Sequence, residues 1–180
     1  MFTLFCELIV FEGYCAHAAA HGATRMPKWG YSVKEFDPDR AVKCSGRELK
    51  ISPKASTEIC RKLRGMRLDS AKDLLEAVTL KKRAIAYRRY HKEVPHRSLD
   101  EGWYAGRYPV KAAKAFLFLL EELESNAEYK GLDVDRLRIV HAAAQRGMKT
   151  QRSISRAYGR ASPYQNTLVH IELMGYEVAE

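Results

Sequence analysis

The chain has 180 residues, and 31 Lys and Arg against 22 Asp and Glu leave a formal charge of +9. That length accommodates one domain with a real core, and the basic excess points to an anionic partner, either nucleic acid or an acidic membrane surface. Cys6, Cys15, Cys44 and Cys60 form no Cys-x-x-Cys pair and no disulfide-like framework, which argues for reduced thiols and against a zinc module.

Met1 to Arg25 differs in character from the rest of the chain. It is apolar and rich in small residues, and Glu7 and Glu12 oppose only Arg25, so the positive excess lies after Met26. A secretory signal needs a basic leading end, which this segment lacks, and its apolar run is too short and interrupted to span a bilayer. It reads as an atypical extension or as an upstream start, and we favour Met26 as the true first residue of a single domain over residues 26–180.

Lys28, Trp29 and Tyr31 sit in an irregular arm and suit either RNA contact or packing on the body. Ala41 to Ile51 is strand-like, with Leu49 and Ile51 on one face. Ser52-Pro53 is a helix start, Ser as cap and Pro in the first turn; Ile59, Leu63 and Met66 recur at helical spacing, and Gly65 is a stop. A second helix is expected to open on Asp69 or Ser70, to carry Ala71, Leu74, Leu75 and Val78 inward, and to close on Lys81, Lys82 and Arg83. Arg83 to Tyr108 is a long basic loop in which Arg88, Arg89, Tyr90, Arg97, Arg107 and several further aromatics alternate. Cations meet phosphates while aromatic faces stack on unpaired bases, so the interleaving suits structured RNA; the alternative is that the rings anchor the loop. Pro109 opens the longest helix, with Val110, Ala113, Phe116, Leu117, Leu120 and Leu123 inward and Asn126 to Gly131 as its end.

Leu137-Arg-Ile139 and Val169 to Leu173 alternate as paired half-buried strands. Between them the apolar pattern fades, leaving Arg146, Lys149, Arg152, Arg156 and Arg160 with no acidic residue among them. An unbroken register would align the four arginines on one face. A tip near Ser153 makes this a hairpin that projects from the body, marginal on its own in water and expecting a polyanion as its packing partner. Gly147 and Gly159 fit close backbone approach or a twist, and Pro163 fits an edge. The fold class is α+β: a small antiparallel sheet covered by about three helices, with a long protruding β-hairpin over about residues 139–171. No basic amphipathic helix favours a membrane. Asp37 and Asp39, Asp69 and Asp73, and Asp133 and Asp135 sit where turns and caps account for them, so no catalytic group is assigned.

Several blocks occur together and in order: Ile51-Ser-Pro-Lys, Ile59-Cys-Arg-Lys-Leu-Arg-Gly-Met66, Arg88-Arg-Tyr90, Gly106-Arg-Tyr-Pro-Val-Lys-Ala-Ala113, Ser125-Asn-Ala-Glu-Tyr-Lys-Gly-Leu-Asp133, Arg156-Ala-Tyr-Gly-Arg160 and His170-Ile-Glu172. From about Trp29 to Leu173 the chain resembles the large-subunit ribosomal protein family numbered twenty-two in the universal scheme, in its archaeal and eukaryotic form. The resemblance implies a small body seated on large-subunit rRNA and a hairpin lining the nascent-peptide exit tunnel. By position it places the tunnel-side tip at Lys149, Thr150, Gln151, Arg152, Ser153, Ile154, Ser155 and Arg156. It places rRNA contacts at Arg88, Arg89, Tyr90, Arg156, Gly159 and Arg160, and the basic stretches themselves add Lys28, Arg97, Arg107, Arg146, Lys149 and Arg152 as candidate rRNA contacts. Neighbouring large-subunit proteins and the nascent polypeptide are the further partners; no cofactor, metal, membrane or small-molecule substrate is implied, and the location is cytoplasmic. A free-standing RNA-binding or regulatory protein of the same fold is the alternative. The chain departs from the family at its first twenty-five residues and at Gly175 to Glu180, where Gly175 interrupts the last apolar alternation and leaves the final strand's length in question.

Overall fold

The computed structural model describes residues 30–33, 37–99 and 102–178. The chain divides into two units at 31/32, and the elements described below all lie in the second, residues 32–180. The expected extension over residues 1–25, together with Lys28 and Trp29, lies outside the described residues.

The elements run β1 (Ala41–Leu49), α1 (Pro53–Leu63), α2 (Leu68–Thr79), β2 (Ile85–Ala86), β3 (Gly106–Arg107), α3 (Val110–Lys130), β4 (Leu137–Ser155) and β5 (Ala161–Glu177). β5 is the middle of an antiparallel sheet ordered β1-β5-β4, and β2 and β3 form a separate two-stranded pair. One face of β5 presents Val169, Ile171 and Leu173 to a single core shared with Ile59 and Leu63 of α1, Leu75 of α2 and Phe116, Leu120 and Leu123 of α3. Helical periodicity in three segments and two-residue periodicity in the strands thus converge on one two-layer α+β packing.

Local detail departs from the expected signals in three places. Ser52 precedes α1 with extended backbone, but its hydroxyl makes no capping bond; its carbonyl accepts from the Ser56 N–H instead. α2 begins at Leu68, so Asp69 is in its first turn rather than capping it. Lys81, Lys82 and Arg83 lie past the helix end instead of forming its last turn, because the chain leaves the helix at Leu80 and Lys81 is left-handed (φ 58). The end expected over Asn126 to Gly131 is met: α3 runs to Lys130 and stops at left-handed Gly131 (φ 72). Position 131 has no Cβ to oppose that conformation.

The opposite face of β5 is also buried. Glu172 Oε2 accepts from the Ser32 N–H (3.0 Å) and hydroxyl (2.6 Å), and its Oε1 from the Gln145 amide (3.4 Å). Because the Ser32 hydroxyl gives its hydrogen to Glu172, the His141 Nε2 at 3.0 Å is the donor to Ser32. Burial, reinforced by Arg64 and opposed by Glu172, holds the His141 pKa below its usual range.

Gly175 does not shorten β5. The strand continues to Glu177, and a Cβ at position 175 would lie 2.9 Å from Leu137 Cδ2, itself fully buried. The missing side chain is the space that Leu137 fills. Gly175→Val should therefore destabilise the fold by about 1–3 kcal/mol through overpacking, read as a Tm lower by several degrees; an unchanged Tm would show that the contact is not tight.

The Cys44 thiol donates to Glu122 Oε2 at 3.0 Å, and Cys60 is fully enclosed. Burial, with that bond adding to it at Cys44, pushes both thiols up to about 12 from the usual 9.0. A folded-state pKa raised in this way contributes stability that is complete below pH 9 and lost as pH rises towards 12. Chemical denaturation across about pH 8–11 should show that loss, and Cys60→Ala should flatten it.

Candidate nucleic-acid interface

The hairpin is rooted where the third strand runs out. β1 ends with Leu49 opposite Val169, and beyond that point, among the described residues, β4 and β5 pair only with each other. Two irregularities flank the root, in β1 between Gly46 and Leu49 and in β4 between Arg146 and Lys149. His170, buried on β5, joins them. Its Nδ1 accepts the Glu48 N–H at 3.1 Å, and its ring lies against Gly147, where a Cβ would come 2.8 Å from Nε2. Gly147 is thus a close-approach glycine, as its position suggested.

From Lys149 opposite Thr167 to Ser155 opposite Ala161 the ribbon is regular, and every β4 residue from Met148 onward is exposed. At about 3.4 Å per residue this arm extends roughly 25–30 Å past the root. No acidic residue occurs between Asp135 and Glu172. Such a ribbon buries little of itself and carries charge of one sign.

Two expectations for it need correcting. The turn is not near Ser153. The chain reverses over Arg156 to Arg160, where the Arg156 N–H meets the Arg160 carbonyl at 2.7 Å and Tyr158 (φ 57) and Gly159 (φ 66) are both left-handed. Of the eight residues assigned to the tip only Arg156 is in the turn; Lys149, Thr150, Gln151, Arg152, Ser153, Ile154 and Ser155 run along the β4 arm. Nor do the four arginines share one face. The irregularity after Arg146 inserts a residue, so Arg146 (opposite Val169) and Lys149 (opposite Thr167) are on one face and Arg152 (opposite Tyr164) on the other. Arg156 and Arg160 belong to the turn, and the cations surround the ribbon instead of striping it.

The second basic stretch is more ordered than a long loop. β2 pairs with β3, the Tyr87 N–H donates to the Ala105 carbonyl, and the Trp103 indole N–H donates to the Tyr87 carbonyl at 3.0 Å. Trp103 stacks on Tyr104 with centroids 4.9 Å apart. Tyr87 and Trp103 are therefore anchors, the alternative role that the sequence left open for the rings. Burial pushes the Tyr87 phenol up to about 12.

The cations remain outward. Arg88, Arg89, Arg97 and Arg107 are exposed; the first three lie over the rings of Trp103, Tyr90 and Tyr108 at 5.8, 5.7 and 5.4 Å, and Arg107 donates to the Glu93 carbonyl. Exposed guanidinium groups splayed over aromatic faces present their edges to an external anion.

What fixes this loop is a residue that sequence reasoning passed over. Glu58, in the middle of α1 and 1% exposed, turns Oε1 to the backbone N–H groups of Arg89 (2.8 Å) and Tyr90 (3.2 Å). The only signal was a charged residue at a position flanked by the buried stripe of α1, since Glu58 directly precedes Ile59. The body loop thus hangs on α1, whereas the ribbon hangs on the sheet.

A family model described as ribosomal protein L22p/L17e matches residues 44–175, from within β1 almost to the end of β5. The chain belongs to the ribosomal protein L22p/L17e family. Its similarity to individual members is extensive. It is 51% identical over 152 residues to the large ribosomal subunit protein uL22 of Cenarchaeum symbiosum, covering 84% of this chain and 99% of that one. It is 50% identical over 155 residues to the protein of the same name from Methanopyrus kandleri (83% and 98%). It is 50% identical over 149 residues to that from Archaeoglobus fulgidus (83% and 96%). Both basic groups and the hairpin turn fall within the L22p/L17e match. Among the described residues no helix is long and apolar enough to cross a membrane.

Removing the Glu58 carboxylate should free the loop. Glu58→Ala is expected to cost about 2 kcal/mol and to speed hydrogen exchange at the Arg89 and Tyr90 amides, whereas Glu58→Gln, which keeps an acceptor oxygen, should cost less than about half as much. Equal effects of the two substitutions would contradict this role.

Proposed function

We propose that this chain is a structural, non-enzymatic constituent of the large ribosomal subunit, that it binds large-subunit rRNA through the body loop and the ribbon, and that the hairpin turn reaches the polypeptide exit tunnel. The observation that carries the reading is the ribbon beyond Leu49: two strands, uncovered by any other described element, cationic and free of acid. A surface of that kind is stabilised by phosphates that RNA folding crowds together, and each phosphate neutralised releases condensed counterions.

Arg88, Arg89, Tyr90, Arg97 and Arg107 would meet rRNA at the body. Arg146, Lys149, Arg152, Arg156, Gly159 and Arg160 would meet it along the ribbon, from both faces. Neighbouring large-subunit proteins would complete the surroundings, and the nascent polypeptide would pass Tyr158 and the turn. The names of the similar archaeal proteins support the subunit assignment, and the resemblance of the motif blocks supports the tunnel.

Sucrose-gradient sedimentation of the tagged chain from its host tests the first part: it should travel stoichiometrically with large subunits, and a position at the top of the gradient would indicate an RNA-binding protein acting elsewhere. For the second, replacing Arg146, Lys149, Arg152, Arg156 and Arg160 with Gln should flatten the log–log salt dependence of rRNA binding by roughly four. An unchanged slope would remove the ribbon from the interface. A photo-crosslinking residue in place of Tyr158 should capture nascent chains on translating ribosomes, while one in place of Leu80 should not.

A further inference from the structure

A cavity of about 520 Å³ opens between the first turn of α1, the Tyr87–Val94 loop and the segment entering α3. Its walls include Lys54, Arg89 and Arg107 together with the rings of Tyr90 and Tyr108, and no carboxylate lines it. Lys54 Nζ and the Arg89 guanidinium converge on one ring, 5.8 and 5.7 Å from the centroid of Tyr90, and neither has a carboxylate partner among the described residues. Two like charges drawn to one aromatic ring repel each other, and an anion between them would relieve that repulsion. The volume is that of a small-molecule pocket and too confined for a duplex, which excludes groove binding there.

We propose that this cavity receives one unstacked nucleotide of RNA, its phosphate held between Lys54 and Arg89 with Arg107 beside them, and its base laid against Tyr90 or Tyr108. The inference rests on the rRNA-binding reading and deepens it. A cation pair alone would bind any backbone phosphate; a cation pair beside half-buried tyrosine rings inside a concave site selects a nucleotide whose base has left its stack. Glu58 acts here as a positioning residue: by holding the Arg89 and Tyr90 N–H groups it fixes the wall on which the base rests.

The full chain is irradiated with large-subunit rRNA transcript carrying 4-thiouridine or 6-thioguanosine, and the crosslinked peptides are mapped by mass spectrometry. A nucleotide on the peptide bearing Tyr90 or Tyr108 is expected, reduced at least fivefold in Arg89→Gln and in Tyr90→Leu. Tyr90→Leu keeps the backbone N–H that Glu58 holds, so the loop stays anchored, and Arg89→Gln changes only an exposed side chain. rRNA bound with normal salt dependence but crosslinked only through the ribbon would overturn the pocket and leave the proposed function standing. Absence of rRNA binding would overturn both. Duplex RNA competing as well as single-stranded RNA for the crosslink would overturn the unstacked nucleotide, and complete displacement by micromolar AMP or UMP would reassign the cavity to a free mononucleotide.

Discussion

The structure depends on where β1 stops. Up to Leu49 the central strand β5 has neighbours on both sides and helices against one face, so its residues from Leu168 to Gly175 are buried. Past Leu49, among the described residues, the same strand has one neighbour and no cover. The transition is abrupt because the bulges in β1 and β4 both meet His170, which takes the Glu48 N–H on one side and the ring-width gap left by Gly147 on the other. A stable domain thereby carries a ribbon that is not stable by the same means. Two strands with no apolar face have little hydrophobic burial to offset their ordering, and repulsion among like charges opposes it further. RNA phosphates would reverse the sign of that repulsion, so the feature that weakens the isolated ribbon is the one that the proposed rRNA partner would use.

The body loop solves the same problem differently. Its cations are held in place by an internal carboxylate, Glu58, and by rings that pack on one another, so it can present a preformed surface before any partner arrives. Preformed and partner-ordered surfaces differ in what binding requires: the first loses little conformational entropy, the second loses more but can follow an irregular groove. Under the proposed function, a chain that carries both would dock by its body and then order its hairpin.

Much of this was legible in the chain itself. The helices announced themselves through Ile59 and Leu63, through Leu74, Leu75 and Val78, and through Phe116, Leu120 and Leu123, because a buried stripe must recur at the helical period. The strands did so through Leu137 and Ile139 and through Val169 to Leu173. The acid-free run pointed to the candidate interface without any structure. What stayed hidden depends on contacts distant in sequence or on one inserted residue. The bulge after Arg146 leaves no mark in composition, yet it moves Arg152 to the other face. The turn lies at Tyr158 and Gly159 instead of near Ser153 because β4 and β5 keep pairing out to Ser155 and Ala161, and an exposed ribbon carries no apolar alternation to mark where it ends. Gly175 looked like an interruption until Leu137, far from it in sequence, was seen to occupy its missing side chain. Glu58 gave no sign that two backbone N–H groups about thirty residues away would need it.

The central claim is that the ribbon owes its order to RNA while the body does not. Amide hydrogen exchange measured on the free chain and on its complex with large-subunit rRNA tests this directly, comparing β4 from Lys149 to Ser155 with α3 from Phe116 to Leu123. The account predicts fast exchange in the free ribbon, strong protection there on binding, and an α3 that is protected in both states. A ribbon as protected as α3 before RNA is added, or one left unprotected in the complex, would contradict it.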